Sequence, residues 1–250
     1  MITEVHHVGL VVRDLEGARA FYGHALGLPA LPGTDPHGRP GLLVPVGRSA
    51  LAIRAAGADG REGLEHLCLA ADGVADVWAR LRAVGVLPAG DGAPPDGLLS
   101  PDAMDGLRVG VSVAPLPEGG PADLPHRVLR IDHVVIRAPD PTGLQRRFAD
   151  YFGVETRRTM ERPGTGAMLA FLKPGEVILE LARPRDAAAG PAALSGLAFA
   201  VAGLDALVER LRGLGYPVGE PHPAVQPGAR IAALGREHAC GVPVAFLEFA

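Results

Sequence analysis

The chain opens on Val5-His6-His7-Val8-Gly9-Leu10-Val11-Val12, an extended apolar run that is followed by Asp14 and then by a helical pattern. Apolar residues recur at helical spacing as far as Gly27, which is a natural place for a helix to end. Short strand-like runs broken by glycine and proline come next, and the last of them covers residues 50–54. This order predicts a βαβββ module that begins the chain.

The same order of signals occurs three more times, with equivalent positions about sixty residues apart. Modules two and three also place an aspartate, Asp72 or Asp140, between the first strand and the helical pattern. The later helical patterns end at Gly85, Gly153 and Gly215. The later first strands are predicted at Leu64-Glu65-His66-Leu67-Cys68-Leu69, Ile131-Asp132-His133-Val134-Val135-Ile136 and Gly196-Leu197-Ala198-Phe199-Ala200-Val201.

Four such modules predict an α+β fold. A single βαβββ unit leaves one sheet face open, so two units are expected to pair into an eight-stranded, U-shaped sheet whose open face forms a ligand cup. Four units predict two cupped eight-stranded mixed sheets. Modules one and two are expected in residues 1–114 and modules three and four in residues 128–250, joined by a linker at 115–127 that is rich in proline and glycine.

Composition limits the classes of function. The 250 residues are 48% hydrophobic and 21% charged, which indicates a globular chain, and a net charge of −4 with both signs scattered argues against a nucleic-acid partner. Two cysteines are too few for a disulfide scaffold, and neither a signal peptide nor a membrane span is predicted. We therefore expect a cytoplasmic monomer or homodimer that takes a small-molecule substrate and has no membrane partner.

Strand alternation predicts which side chains face the cups, because successive residues of a strand point to opposite faces. His7, His66 and His133 are expected to face inward from first strands, and Glu180 from the last strand of module three. Cys68 shares the inward face of its strand and is interpreted as a small apolar filler rather than a functional thiol. His6 is expected on the opposite, helix-covered side.

These segments resemble the vicinal oxygen chelate superfamily, which includes glyoxalase I, methylmalonyl-CoA epimerase, extradiol dioxygenases, fosfomycin-modifying enzymes and bleomycin-binding proteins. The resemblance rests on VHHVGLVVRDLEGARAFYGHALGL at 5–28, GLEHLCLAADG at 63–73 and IDHVVIRAPD at 131–140. Module four is similar only in its hydrophobic pattern. The resemblance implies metal ligands at two points of a module, a histidine in the first strand and a glutamate in the last.

Only half of those positions carry a plausible ligand in this chain. The first-strand positions are His7, His66, His133 and Gly196, and the last-strand positions are Ala52, Gly110, Glu180 and Ala245. Catalytic divalent metals need about three protein ligands and an open site. How the modules pair therefore decides whether any cup can hold a metal.

Two pairings remain open. Pairing in chain order gives one cup His7 with His66 and the other His133 with Glu180. If modules two and three share a cup, that cup gathers His66, His133 and Glu180, a set that suits Fe, Mn, Co, Ni or Zn, with Gly110 leaving an opening for water. The ligand count favours the second arrangement. The structural alternative for Glu180 is a salt bridge, for example to Arg137 or Arg183.

The resemblance and the ligand count together predict a metal-dependent lyase or isomerase that acts on a small oxygenated metabolite by metal-assisted proton transfer, with Glu180 as the catalytic residue. A metal-free protein that binds or sequesters a small molecule, such as a drug-resistance protein, is the first alternative. An extradiol-type dioxygenase is the second. An enzyme is favoured over a binding protein, and both classes stay open.

Overall fold

The computed structural model describes residues 1–34, 40–58, 60–86, 97–113, 115–117, 124–186 and 189–250. The sequence also predicts that loops at 34–40 and 163–166 line a cup and decide specificity. Most of the first loop lies outside the described residues, whereas the second lies within them. None of the described helices is long and apolar enough to cross a membrane.

The described part of the first half forms a seven-stranded mixed sheet in the order β2-β3-β4-β1-β5-β7-β6. Residues 87–96, where module two would place a further strand, are outside the described part of the chain. The strands are β1 (Ile2–Val12), β2 (Leu31–Thr34), β3 (Pro40–Val46), β4 (Ser49–Ala55), β5 (Gly63–Ala71), β6 (Gly97–Leu98) and β7 (Val109–Ser112).

The second half forms an eight-stranded mixed sheet, within the ranges described, in the order β13-β14-β15-β12-β8-β11-β10-β9. Its first strands β8 and β12 are neighbours at the centre, and each pairs in parallel with the last strand of its own module. The strands are β8 (Arg127–Arg137), β9 (Thr156–Glu161), β10 (Met168–Leu172), β11 (Ile178–Arg183), β12 (Ala193–Ala202), β13 (His222–Pro223), β14 (Ala229–Leu234) and β15 (Val244–Phe249).

One helix follows the first strand of each module, which confirms the predicted α+β fold. The helices are α1 (Leu15–Ala18), which continues as a π-helical segment (Arg19–Ala25), α2 (Val74–Ala83), α3 (Pro141–Phe152) and α4 (Leu204–Gly213). The predicted terminal glycines Gly27, Gly85, Gly153 and Gly215 all have positive φ, between 67° and 88°. Glycine adopts this left-handed conformation without the steric cost of a Cβ atom.

The predicted helix starts are confirmed only in part. Asp140 caps α3, because its carboxylate accepts a hydrogen bond of 3.0 Å from the Gly143 amide. Asp14 occupies the N-cap position of α1 but makes no side-chain capping bond. Gly73, rather than Asp72, is the N-cap of α2. An aspartate therefore precedes the helix in three modules but caps it through its side chain only in module three.

The helices bury one face each. Trp78 of α2 is 1% exposed and Phe148 of α3 is fully buried. Burying an apolar side chain of this size contributes about 1.5–3 kcal/mol, so each helix is stabilised mainly by the face that it packs.

The described sheets pair the modules in chain order, which is the first of the two arrangements that the sequence left open, and they do not bring modules two and three into one sheet. Strands β1 and β5 of modules one and two are adjacent in the first sheet, and β8 and β12 of modules three and four are adjacent in the second. The physical reason is that neighbours in sequence usually become neighbours in space, because the connection is short. Hydrogen bonds along whole strands outweigh the grouping of a few ligands.

Compact packing divides the described residues differently from the sheets. The first unit contains Met1–His7, Glu65–Pro115 and His133–Ser195, and the second contains Val8–Leu64, Leu116–Asp132 and Gly196–Ala250. The division into domains at 1–114 and 128–250 follows the sheets and stays a prediction, as does the linker at 115–127, of which only 115–117 and 124–127 are described.

Candidate functional site

Glu180 and His133 come together on the second sheet. Strand β11 lies parallel to β8, with Ile178 opposite His133 and Glu180 opposite Val135, so the two functional side chains share a face. Glu180 Oε2 lies 3.9 Å from His133 Nε2, and the Glu180 side chain is only 7% exposed. The predicted inward orientation of this carboxylate agrees with these contacts.

Arg162 is the salt-bridge partner of Glu180. Its Nη2 donates to Glu180 Oε1 over 2.8 Å, whereas Arg137 donates to the Pro191 carbonyl instead. Arg162 begins the hairpin loop between β9 and β10. Its amide donates to the Ala167 carbonyl and its carbonyl accepts from the Gly166 amide, and these two bonds close the loop. A buried carboxylate needs such a partner, because an unpaired charge is costly away from water. The sequence did not single out Arg162, since a hairpin and not strand alternation brings it to the site.

His7 and His66 come together on the first sheet. Their Nε2 atoms lie 3.1 Å apart, and the rings meet edge to face with centroids 5.2 Å apart. Strands β1 and β5, which carry them, are neighbours in the sheet. The two rings therefore meet across adjacent strands, and their orientation into a cup stays a prediction.

Two further side chains join that pair. His6 Nδ1 lies 2.7 Å from His7 Nδ1, so its ring is turned towards its neighbour and not to the opposite side as expected from alternation. His6, His7 and Cys68 have ligand atoms that all lie within 4.8 Å of one another, and they are the group of three potential metal ligands found among the described residues. We call His6, His7, His66 and Cys68 the histidine cluster.

One ring of the histidine cluster, that of His7, is held neutral. Burial, together with the neighbouring His66 and His6 rings, lowers the pKa of His7 from 6.5 to about 3. A neutral imidazole keeps a lone pair on one nitrogen, which is the form that binds metals. His7 therefore presents a ligand atom at neutral pH without first losing a proton to solvent.

A carboxylate lies beside the outer nitrogen of His66. Glu65 Oε2 is 3.5 Å from His66 Nδ1, and Glu65 Oε1 accepts a bond of 3.0 Å from Arg108. Metal-binding histidines commonly direct their second nitrogen at a carboxylate, which holds the tautomer and the ring orientation. A proton on Nδ1 of His66 would leave its Nε2 as the acceptor that faces His7.

The predicted set of His66, His133 and Glu180 is not among the close groups of three found in the described chain. The structure instead gathers the four predicted residues as two pairs, His7 with His66 and His133 with Glu180. The space beside Gly110 that was expected to admit water is filled by other described residues. A Cβ atom there would lie 2.8 Å from the Gly97 carbonyl oxygen and 2.9 Å from Leu98, so β6 fills that side.

Comparison with known families matches two parts of the chain. Sequence profiles described as Glyoxalase/Bleomycin resistance protein/Dioxygenase superfamily match residues 4–88 and residues 132–233. No curated protein matches the sequence. The two matched segments contain all the residues of both pairs.

Solved structures resemble the whole chain. A Mn(II)-bound glyoxalase from Novosphingobium aromaticivorans is 20% identical with a TM-score of 0.71, and the match covers 99% of this chain and 82% of that one. A mutant of 4-hydroxymandelate synthase from Streptomyces coelicolor is 14% identical with a TM-score of 0.72, covering 99% and 93%. A catechol 2,3-dioxygenase is 15% identical with a TM-score of 0.71, covering 100% and 93%. At these identities the similarity shows the fold.

Proposed function

The chain belongs to the Glyoxalase/Bleomycin resistance protein/Dioxygenase superfamily, and on that premise we propose that it is a divalent-metal-dependent enzyme acting on a small oxygenated molecule. The reaction class that we propose is lyase or isomerase chemistry by metal-assisted proton transfer. We place the metal at the histidine cluster of the first sheet. The observation that carries the proposal is the 3.1 Å distance between His7 Nε2 and His66 Nε2.

That distance fits two ligands of one cation. Metal–imidazole bonds of about 2.0–2.1 Å, set at angles between square and tetrahedral, place two ligand nitrogens about 2.9–3.4 Å apart. The two rings therefore already have the required separation. Since His7 is neutral, a cation entering the site competes with a shared proton and not with positive charge.

The residues around the two ligands supply orientation. His6 Nδ1 faces His7 Nδ1, so when His7 Nε2 holds a cation its Nδ1 proton can be donated to His6. Glu65 Oε2 likewise lies beside Nδ1 of His66, where it can accept a hydrogen bond from that ring when Nε2 holds the cation. A metal held there would act as a Lewis acid that stabilises negative charge on an oxygen of the substrate. The chain's own contribution is an oriented, part-buried pair of rings, of which His7 is neutral.

Metal analysis of protein purified without chelator tests this proposal. We expect close to one metal per chain in the wild type, loss of most of it in His66→Ala, and retention in His133→Ala, which removes the equivalent first-strand histidine of module three. Loss in His133→Ala with retention in His66→Ala would move the metal to the second sheet. Absence of metal in every preparation, including after addition of Zn, Co, Ni, Mn and Fe(II), would overturn the enzyme proposal.

A metal-free binding function is the second candidate, and the Arg162–Glu180 salt bridge favours it. Because Arg162 already neutralises Glu180, the second sheet offers a guanidinium, a carboxylate and the His133 imidazole as hydrogen-bonding groups without need of a metal. The same metal analysis separates the two candidates. Oxygen uptake with catechols separates a lyase or isomerase from an extradiol-type dioxygenase, which would consume oxygen.

A further inference from the structure

Cys68 occupies an unusual place beside the paired histidines. It lies two residues after His66 on β5, so both side chains share one face of the strand, and it is 5% exposed. Its partner across the parallel β5–β7 ladder is Gly110, the last-strand position at which the family resemblance implies a carboxylate. The thiol therefore stands next to the place that an acidic ligand would reach.

We propose that Cys68 binds the metal of the histidine cluster as a thiolate and supplies the negative charge that the acidic residues missing at Ala52 and Gly110 do not. This inference rests on the proposed function, because it concerns the same metal. It makes the site a histidine–thiolate centre in place of a histidine–carboxylate one.

The positions of the ligand atoms support the thiolate. The sulfur of Cys68 and one nitrogen each of His6 and His7 lie within 4.8 Å of one another. Bonds of about 2.3 Å to sulfur and 2.0–2.1 Å to nitrogen place these atoms about 3.5 Å apart in a tetrahedral site, so closure needs side-chain shifts of about an ångström.

The chemical consequence is metal preference. Thiolate and imidazole ligands favour zinc and later first-row ions, whereas carboxylate and water favour manganese and magnesium. Binding releases the thiol proton, because the thiolate is the ligand form. We therefore expect this chain to prefer zinc or cobalt(II) over manganese(II).

The other cysteine provides a matched control. Cys240 belongs to the second compact unit, where burial raises the pKa of its thiol to about 12, with the Glu62 and Asp14 carboxylates adding to the effect. Such a thiol stays protonated at neutral pH and does not supply a thiolate. Cys240→Ser therefore removes a sulfur without touching the histidine cluster.

Cobalt(II) absorption spectroscopy tests the inference on the metal-loaded chain. We expect the wild type and Cys240→Ser to show a sulfur-to-cobalt charge-transfer band in the near ultraviolet, and Cys68→Ser to lose it while keeping the visible cobalt bands. Zinc affinity in Cys68→Ser should fall by at least about tenfold, with manganese affinity changed less.

The outcomes separate this inference from the function on which it rests. If cobalt binds and His66→Ala abolishes binding, but no charge-transfer band appears and Cys68→Ser has unchanged affinity, the thiolate is overturned and the metal site survives. If cobalt does not bind to the wild type at all, the proposed function fails together with the inference. Circular dichroism of Cys68→Ser distinguishes a lost ligand from a misfolded chain.

Discussion

Glu4 anchors the start of β1 to the turn before β11, and its removal should destabilise the first compact unit. The side chain is 4% exposed, and its carboxylate accepts backbone hydrogen bonds from Val5 at 3.0 Å, Glu176 at 2.9 Å and Val177 at 3.3 Å. Glu4→Ala leaves these donors without their acceptor. Each buried donor that loses a charged partner costs about 1–3 kcal/mol.

We expect Glu4→Ala to lower the free energy of unfolding by about 3–5 kcal/mol, since two of the three amides are buried and water can reach part of the third. Such a loss is a large share of the roughly 5–15 kcal/mol that stabilises a typical domain. Urea unfolding followed by circular dichroism measures it. Glu4→Gln keeps one oxygen acceptor but loses the charge, and should cost less, about 1–3 kcal/mol.

Glu176→Ala is the matched control, because it removes an exposed carboxylate at the same turn and keeps the backbone amide. Its effect should stay within about 0.5 kcal/mol. If Glu4→Ala and Glu176→Ala shift the unfolding midpoint equally, the three hydrogen bonds do not stabilise the chain, and the reasoning is refuted. A change in the denaturant slope alone would also contradict it, since the argument concerns the folded state.

Three further outcomes are expected. The pKa of His7 is about 3 in the folded state against 6.5 in the unfolded chain, so its contribution to the stability of the metal-free protein is complete above pH 6.5. The free energy of unfolding should then fall by about 1.4 kcal/mol per pH unit as the pH drops towards 3. His7→Gln should show a weaker dependence of that free energy on pH, and an equal dependence would contradict this origin. Arg162→Met should lower the free energy of unfolding by about 1–2 kcal/mol, because it leaves Glu180 without its cation. The double variant Arg162→Met/Glu180→Gln should recover much of that loss, and a loss equal to the sum of the two single variants would exclude coupling between the residues. Phe148→Ala should cost about 3–5 kcal/mol, because the ring is fully buried, and a loss under about 1 kcal/mol in thermal or urea unfolding would show that α3 is not held by that face.

The fold was predictable because its signals are local. Apolar periodicity and a terminal glycine located each helix, and φ values of 72° at Gly27 and 67° at Gly153 show why glycine stands there. Sheet pairing was not predictable by the same means. Two pairings stayed open because the ligand count favoured modules two and three, whereas short connections between successive modules favoured the pairing of β1 with β5 that the sheet shows.

The candidate site was predictable only where the alternation of side chains along a strand determines their positions. Parity placed Glu180 beside His133 and His7 beside His66, because neighbouring strands keep side chains in register. It did not predict the contact of His6 with His7, whose Nδ1 atoms lie 2.7 Å apart. Arg162 was missed because a hairpin loop delivers it, and such long-range placement leaves no pattern in the sequence.

The pair His133 and Glu180 and the pair His7 and His66 differ in the positive group that a metal ion must displace. This difference gives an experiment that distinguishes the two sites. At the second sheet a metal has to compete with the Arg162 guanidinium, which is bonded to Glu180 at 2.8 Å and keeps its charge at any accessible pH. At the histidine cluster the competitor is a proton on an already neutral ring, so metal occupancy there should depend on pH and not on an arginine. Arg162→Met therefore acts as a discriminating variant. It should leave metal binding at His7 and His66 unchanged, and any second equivalent of metal that appears should be lost again in the double variant with Glu180→Gln.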